Sequence, residues 1–179
     1  MSLRRSVPGV DFAQVREDLG IAEQFPPEVV AEAEQVAAAG MPAGEYDDAT
    51  DIPFVTLDPD GSRDLDQAVH LTADGDGFVV DYAIADVAAL ITPEGALDQE
   101  SRRRGATVYF PDGSVPLHPR ALSEGAGSLL PEQVRLCVLW TIRVAGDGSV
   151  TDVRVRRSRI ASVARLDYAG VSADAAAGR

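Results

Sequence analysis

The sequence predicts an α+β fold: a mostly antiparallel sheet with flanking helices. Two observations carry this. Apolar, β-branched runs flank two tight polar turns, "ADGDG" at 73–77 and "AGDGS" at 145–149, which is the signature of antiparallel pairs. Near the N-terminus, "DFAQVREDLG" (11–20) and "PPEVVAEAEQVAAAG" (26–40) read instead as helices. Elements of both kinds, with the clear strand pairs antiparallel, define the class.

In chain order, Pro26 and Pro27 are tolerated at the start of the second helix and Gly40 stops it. "MPAGEYDDATD" (41–51) is a polar, acidic connector. "IPFVTL" (52–57) supplies β-branched and aromatic residues for a strand. The first hairpin follows, with Val79, Asp81, Ala83 and Ala85 alternating against Phe78, Val80, Tyr82 and Ile84 on the return strand. "ALDQESRRRG" (96–105) is a short helix ended by Gly105, "ATVYF" (106–110) a strand, and a Pro/Gly-rich loop comes next. A long strand from Arg135, the turn at 145–149 and a second strand form the other pair. "SADAAAGR" (172–179) is expected to be a flexible tail, and there is no internal repeat.

The chain has 179 residues, enough for one substantial core. No apolar run reaches the roughly 18 residues of a membrane helix. The opening "MSLRRSVPGVDF" has two arginines without an apolar segment after them, so no secretory signal is expected and the cytoplasm is the default location. The single cysteine, Cys137, reads as a buried small hydrophobe. A net charge of −13 argues against a uniformly basic nucleic-acid binder, but the total hides an asymmetry. Residues 1–100 hold 22 Asp/Glu against 4 Arg, whereas residues 101–179 hold 12 Arg against 7 Asp/Glu. All basic side chains are Arg, which suits bidentate phosphate contacts.

The densest chemistry is "TLDPDGSRDLDQAV" (56–69), with Asp58, Asp60, Asp64 and Asp66 crowded after the strand. Carboxylates this close repel one another unless they splay into water or share a cation. A solvated turn is one reading, since Asp, Gly and Ser are turn residues. A calcium loop fails, because the positions that need Gly and Glu hold Arg63 and Val69. The third reading is a Mg²⁺ site for phosphodiester hydrolysis. Asp64 and Asp66 lie two apart and share a side of an extended segment, and Asp58 at the strand end can face them.

The stretch "DIPFVTLDPDGSRDLDQAVHL" resembles the opening signature of the ribonuclease II family in its catalytic RNB domain. "YAIADVAALI", "LDQESRRRGATVYFPDGSVPLHPRALSEGAGSLLPEQVR" and "GSVTDVRVRRSRIASVARLDYAGV" are similar to successive blocks of that domain, in the same order. The resemblance divides the chain into an N-terminal helical segment (1–45), the first half of an RNB-type domain (46–171) and the tail (172–179). It implies a 3′→5′ exoribonuclease that hydrolyses single-stranded RNA to nucleoside 5′-monophosphates with Mg²⁺-activated water, Mn²⁺ being a possible substitute. Asp58, Asp64 and Asp66 would hold the metal. Gln67 stands where the signature has a fourth acid; an amide oxygen can coordinate but carries no charge and cannot act as a base. The alternative is therefore an RNA-binding homologue with lost or weak hydrolysis. No membrane partner and no protein partner is implied.

Tyr109, in "VYFPDG", falls where the family places an aromatic that stacks on the 3′-terminal base, and alternation turns it away from Val108 and Phe110. Arg104, in "SRRRG", and Arg154 and Arg156, in "DVRVRRSRI", are candidate RNA contacts, although exposed arginines on a solvated surface are common. In a regular strand Arg154 and Arg156 share one face and Arg157 and Arg159 the other. His70 is expected to be structural, His118 to lie in a loop, Trp140 to be core, and Asp86 to cap the turn into "VAALI".

Overall fold

The two polar turns produce the hairpins their composition requires. In the computed structural model, which describes residues 9–178, β3 (Gln67–Asp74) pairs antiparallel with β4 (Gly77–Ala85) across Gly75 and Asp76. β7 (Val134–Val144) pairs antiparallel with β8 (Val150–Leu166) across residues 145–149. Residues 1–8, with the two arginines of the segment read for a signal, and Arg179 lie outside the described range. α1 (Phe12–Asp18) is capped by Asp11, whose carboxylate accepts from the Ala13 and Gln14 amides. α2 (Pro27–Ala39) starts on Pro27 and stops at Gly40. α3 (Ala96–Arg104) ends on Gly105 at φ +74°, a left-handed position that favours glycine. β5 (Val108–Phe110) and β6 (Gly113–Val115) form a small separate hairpin.

The sheet closes on itself in a way the local pattern does not announce. β2 (Phe54–Leu57) pairs antiparallel with β3 and parallel with the C-terminal part of β8, while β4 pairs with β7 and β7 with β8. The ring β2–β3–β4–β7–β8 is thus a small barrel whose strand pairs are mostly antiparallel. A two-residue β1 (Asp47–Asp48), inside the stretch read as a connector, adds in parallel at Ser158 and Arg159 of β8. A barrel this narrow is filled by side chains alone. Ala68, Ala83, Cys137 and Ser158 leave room for Phe54, Leu139 and Ile160, and all seven are buried. Burial pushes the Cys137 thiol up to about 12, so it is an inert filler, as its sequence context suggests.

Trp140 is not core. It is 36% exposed, because Cys137 and Leu139 take the inward positions of β7 and Trp140 falls on the outside beside Tyr82 and Val155. The tail also differs from expectation. Residues 172–176 continue α4 (Tyr168–Ala176), which Asp167 caps at 2.8 Å from the Gly170 amide and an Ala-rich sequence propagates. No helix among the described residues is long and apolar enough to cross a membrane.

A second core, formed by Val29, Ala33, Leu97 and Leu122, joins α2, α3 and the π-helical turn Leu122–Ala126. Buried Glu100 lies at its edge, accepting from Arg103 (2.6 and 2.7 Å) and from Arg104 Nε (2.7 Å). These guanidinium bonds hold its carboxyl down at about 2, below its ordinary 4.5. A depressed carboxyl stabilises the fold fully above the unfolded value and loses that contribution as pH falls through the folded one. Acid titration of stability should therefore show a decline between pH 4.5 and 2 that is shallower in Glu100→Gln. Parallel profiles for the two proteins would refute this.

Candidate metal centre

The acidic loop sits at the rim of the barrel, where β2 and β8 end together. The Asp58 amide donates to the Leu166 carbonyl at 3.2 Å, which fixes the first acid on the last rung of the sheet. The chain then turns through Gly61, at φ +84°. Arg165 Nη1 braces the far side by donating to the Ser62 carbonyl at 2.8 Å. Beneath the returning segment lies Ser128, fully buried. Its hydroxyl donates to the Arg63 carbonyl (2.7 Å) and accepts from the Leu65 amide (3.0 Å). The Leu129 amide donates to the Leu65 carbonyl at 2.8 Å. With the Leu65 side chain wholly buried, alternation sends Asp64 and Asp66 outward together. The Ala85 amide on the Asp66 carbonyl (2.9 Å) then leads the chain into β3.

The three aspartates feel one another. Burial, then the charges of Asp66 and Asp64, raise the Asp58 carboxyl above the ordinary carboxylate range, with Arg165 opposing. Asp66 is raised chiefly by burial and further by Asp64, against a backbone hydrogen bond that lowers it. Such a field is relieved by a cation, and hard carboxylate oxygens suit Mg²⁺. The acids stand within electrostatic reach without forming a closed cage: among the described residues no three His, Cys, Asp or Glu side chains group as ready ligands. Gln67, at the first position of β3, is exposed, and its Oε1 accepts from the Tyr82 hydroxyl on β4.

The expected RNA-facing residues separate. Tyr109 is 75% exposed, opposite in alternation to Val108 and Phe110. It lines an open cleft of about 930 Å³ to which none of the three aspartates contributes. Arg154 is exposed. Arg156 points along the inward row of β8 and pairs with Asp47 at 3.4 Å. Arg104 differs from its expected place on an RNA surface. Its side chain is 5% exposed, bound to Glu100, to the Pro116 carbonyl (3.2 Å) and to the Gln24 carbonyl (2.8 Å), and stacked 3.8 Å over Phe25. Asp86 caps the 3₁₀ turn Val87–Ala89 as expected and receives Arg157 at 2.6 Å. His118 meets Ser101 at 3.0 Å, and His70 packs edge-on to Phe54; neither belongs to a group that could hold a metal.

Leu65, Ser128 and Arg165 were not singled out in the sequence. Only the apolar Leu65 between two acids gave a local sign; the other two reach the loop from 63 and 103 positions away.

The RNB domain family matches residues 46–176. Ribonuclease R of Acidithiobacillus ferrooxidans is 37% identical over 169 residues, covering 93% of this chain and 38% of that protein. Exoribonuclease 2 of Vibrio parahaemolyticus is 39% identical over 126 residues, covering 69% of the chain and 19% of the relative. The apo form of Mycoplasma genitalium RNase R superposes with a TM-score of 0.84 at 27% identity, over 93% of this chain and 26% of that one. The same enzyme in complex with ribose-methylated single-stranded RNA gives 0.76 at 27% identity, over 91% and 26%. The chain thus spans well under half the length of these relatives.

Proposed function

The chain belongs to the RNB-domain family, and from that premise we propose that it is part of a 3′→5′ exoribonuclease that hydrolyses single-stranded RNA to nucleoside 5′-monophosphates in the cytoplasm. The observation that carries the reading is the rim loop. Asp58, Asp64 and Asp66 share a repulsive field that raises two of them, and Ser128 pins the backbone beside Asp64 and Asp66 from below.

In this mechanism Asp58, Asp64 and Asp66 would hold Mg²⁺, or Mn²⁺ in its place. A bound divalent ion supplies positive charge to the scissile phosphate and lowers the cost of the attacking water's deprotonation. Leu65 and Ser128 keep the acids on one side, and Arg165 steadies the loop beside Asp58. Tyr109, outside the acid loop, would stack on a base, a contact of about 1–3 kcal/mol. Arg154 and Arg156 remain on β8 as phosphate contacts under this reading, Arg156 exchanging Asp47 for RNA. Labelled poly(A) incubated with the protein should release monophosphates with Mg²⁺ and not with EDTA. No release under either condition would count decisively against an active enzyme.

Gln67 favours a second reading, an RNA-binding homologue with weak or lost hydrolysis. Its amide oxygen is turned to the Tyr82 hydroxyl, and it offers neither charge nor a proton acceptor of useful basicity. Gln67→Asp separates the two. Activity created from none supports the binding homologue, while cleavage by the unsubstituted protein removes it.

A further inference from the structure

We infer that Arg16 and Arg104 are positioning residues for Tyr109, gripping its hairpin at the tip and at the base. The inference rests on the proposed stacking role of Tyr109. β5 and β6 pair with each other and with no strand of the barrel, so the sheet does not hold them. A free two-stranded hairpin is marginal in water. What holds this one comes from the helical segment ahead of the family match and from α3.

At the tip, Arg16 of α1 is 8% exposed. Its Nη2 donates to Asp112 Oδ1 at 2.5 Å, its Nε pairs with Glu23 at 3.2 Å, and its guanidinium lies 4.6 Å from the Phe110 ring centre. Asp112 and Phe110 flank Pro111 in the turn, so one side chain clamps both ends of it. At the base, Arg104 donates to the Pro116 carbonyl, immediately after β6, and to the Gln24 carbonyl between α1 and α2, while stacking on Phe25. Arg16 grips the hairpin through Phe110, and Arg104 through the backbone just past β6. Since alternation puts Phe110 and Tyr109 on opposite faces, fixing the first aims the second outward. Removing the buried cation takes away the bond to Asp112 and the contact with the Phe110 ring together, and loosening of the turn follows.

The test uses the 179-residue chain with Arg16→Ala, Arg16→Lys, Asp112→Asn and Tyr109→Ala, plus the Arg16→Ala/Tyr109→Ala double variant. Amide exchange at residues 108–115 reads the hairpin without RNA, and anisotropy of a labelled oligo(A) in Mg²⁺-free buffer reads affinity. Arg16→Ala should speed exchange in 108–115 by about tenfold or more while α2 and the barrel keep their protection. Asp112→Asn should do the same, and Arg16→Lys should recover part of the loss. Tyr109→Ala should weaken oligo(A) by about tenfold. Arg16→Ala should match it, and the double variant should lose no more than either single one, because both act through one aromatic. Unchanged exchange in both Arg16→Ala and Asp112→Asn overturns the inference, as do losses of affinity that simply add. Faster exchange with oligo(A) affinity indifferent to Tyr109→Ala overturns instead the stacking role proposed for that residue.

Discussion

Replacing Asp66 by Asn should cut Mg²⁺-dependent release of monophosphates about 100- to 1,000-fold, since one carboxylate's share of metal-held charge is worth several kcal/mol in the transition state. The same change should have the opposite effect on the metal-free fold. Asp66 and Asp64 both raise the Asp58 carboxyl, so removing the Asp66 charge relieves Asp58. Without Mg²⁺ the variant should therefore melt at or slightly above the parent. With Mg²⁺ at a hundred times its dissociation constant, the parent should gain about 2.7 kcal/mol and the variant much less. The crossing of the two melting curves is the diagnostic. A solvated turn, the competing explanation of the same acids, predicts that Mg²⁺ shifts neither protein and that Asp66→Asn is silent in both assays. Asp60→Asn serves as the control, because Asp60 is exposed and does not figure in the field around Asp58.

What the sequence disclosed and what it hid divide by distance along the chain. The hairpin turns at Gly75–Asp76 and 145–149, the Gly105 stop and the outward pose of Tyr109 are set by neighbours a few residues apart, and periodicity reports such neighbours well. The closure of β2 on β8 joins residues more than a hundred positions apart and leaves no local trace. That closure misled the reading of Trp140. A strongly apolar strand looks like core on both faces until the barrel decides which face is inside. Arg104 failed for a related reason. A run of three arginines at a helix end reads as a charged surface, but Glu100 one turn earlier draws Arg104 inward and Phe25 covers it. The spacing of Asp58, Asp64 and Asp66 was visible from the start, as was the anomaly at Gln67. The hold on the backbone beside Asp64 and Asp66 was not, because Ser128 carries no mark of its partner.

That hold makes Leu65→Ala the most informative change that removes no donor. Leu65 is completely buried between Asp64 and Asp66, and the backbone on either side of it is held by Ser128 and Leu129. Truncating such a side chain costs about 2–5 kcal/mol, set by how far the site collapses into the cavity. Urea unfolding should show that loss as a lower midpoint with an unchanged slope. The functional consequence is separate. With its anchor gone the 63–66 segment can rotate, Asp64 and Asp66 lose their common side, and the Mg²⁺-induced stabilisation should shrink although all three carboxylates remain. Ser128→Ala tests the same hold from the other partner, leaving the Leu65 amide unpaired at a cost of about 1–3 kcal/mol. A Leu65→Ala protein that unfolds earlier yet responds to Mg²⁺ like its parent would mean the acids find the ion without the anchor. The burial of Leu65 would then serve stability alone, and the rim loop would owe its arrangement to Asp58 and Arg165.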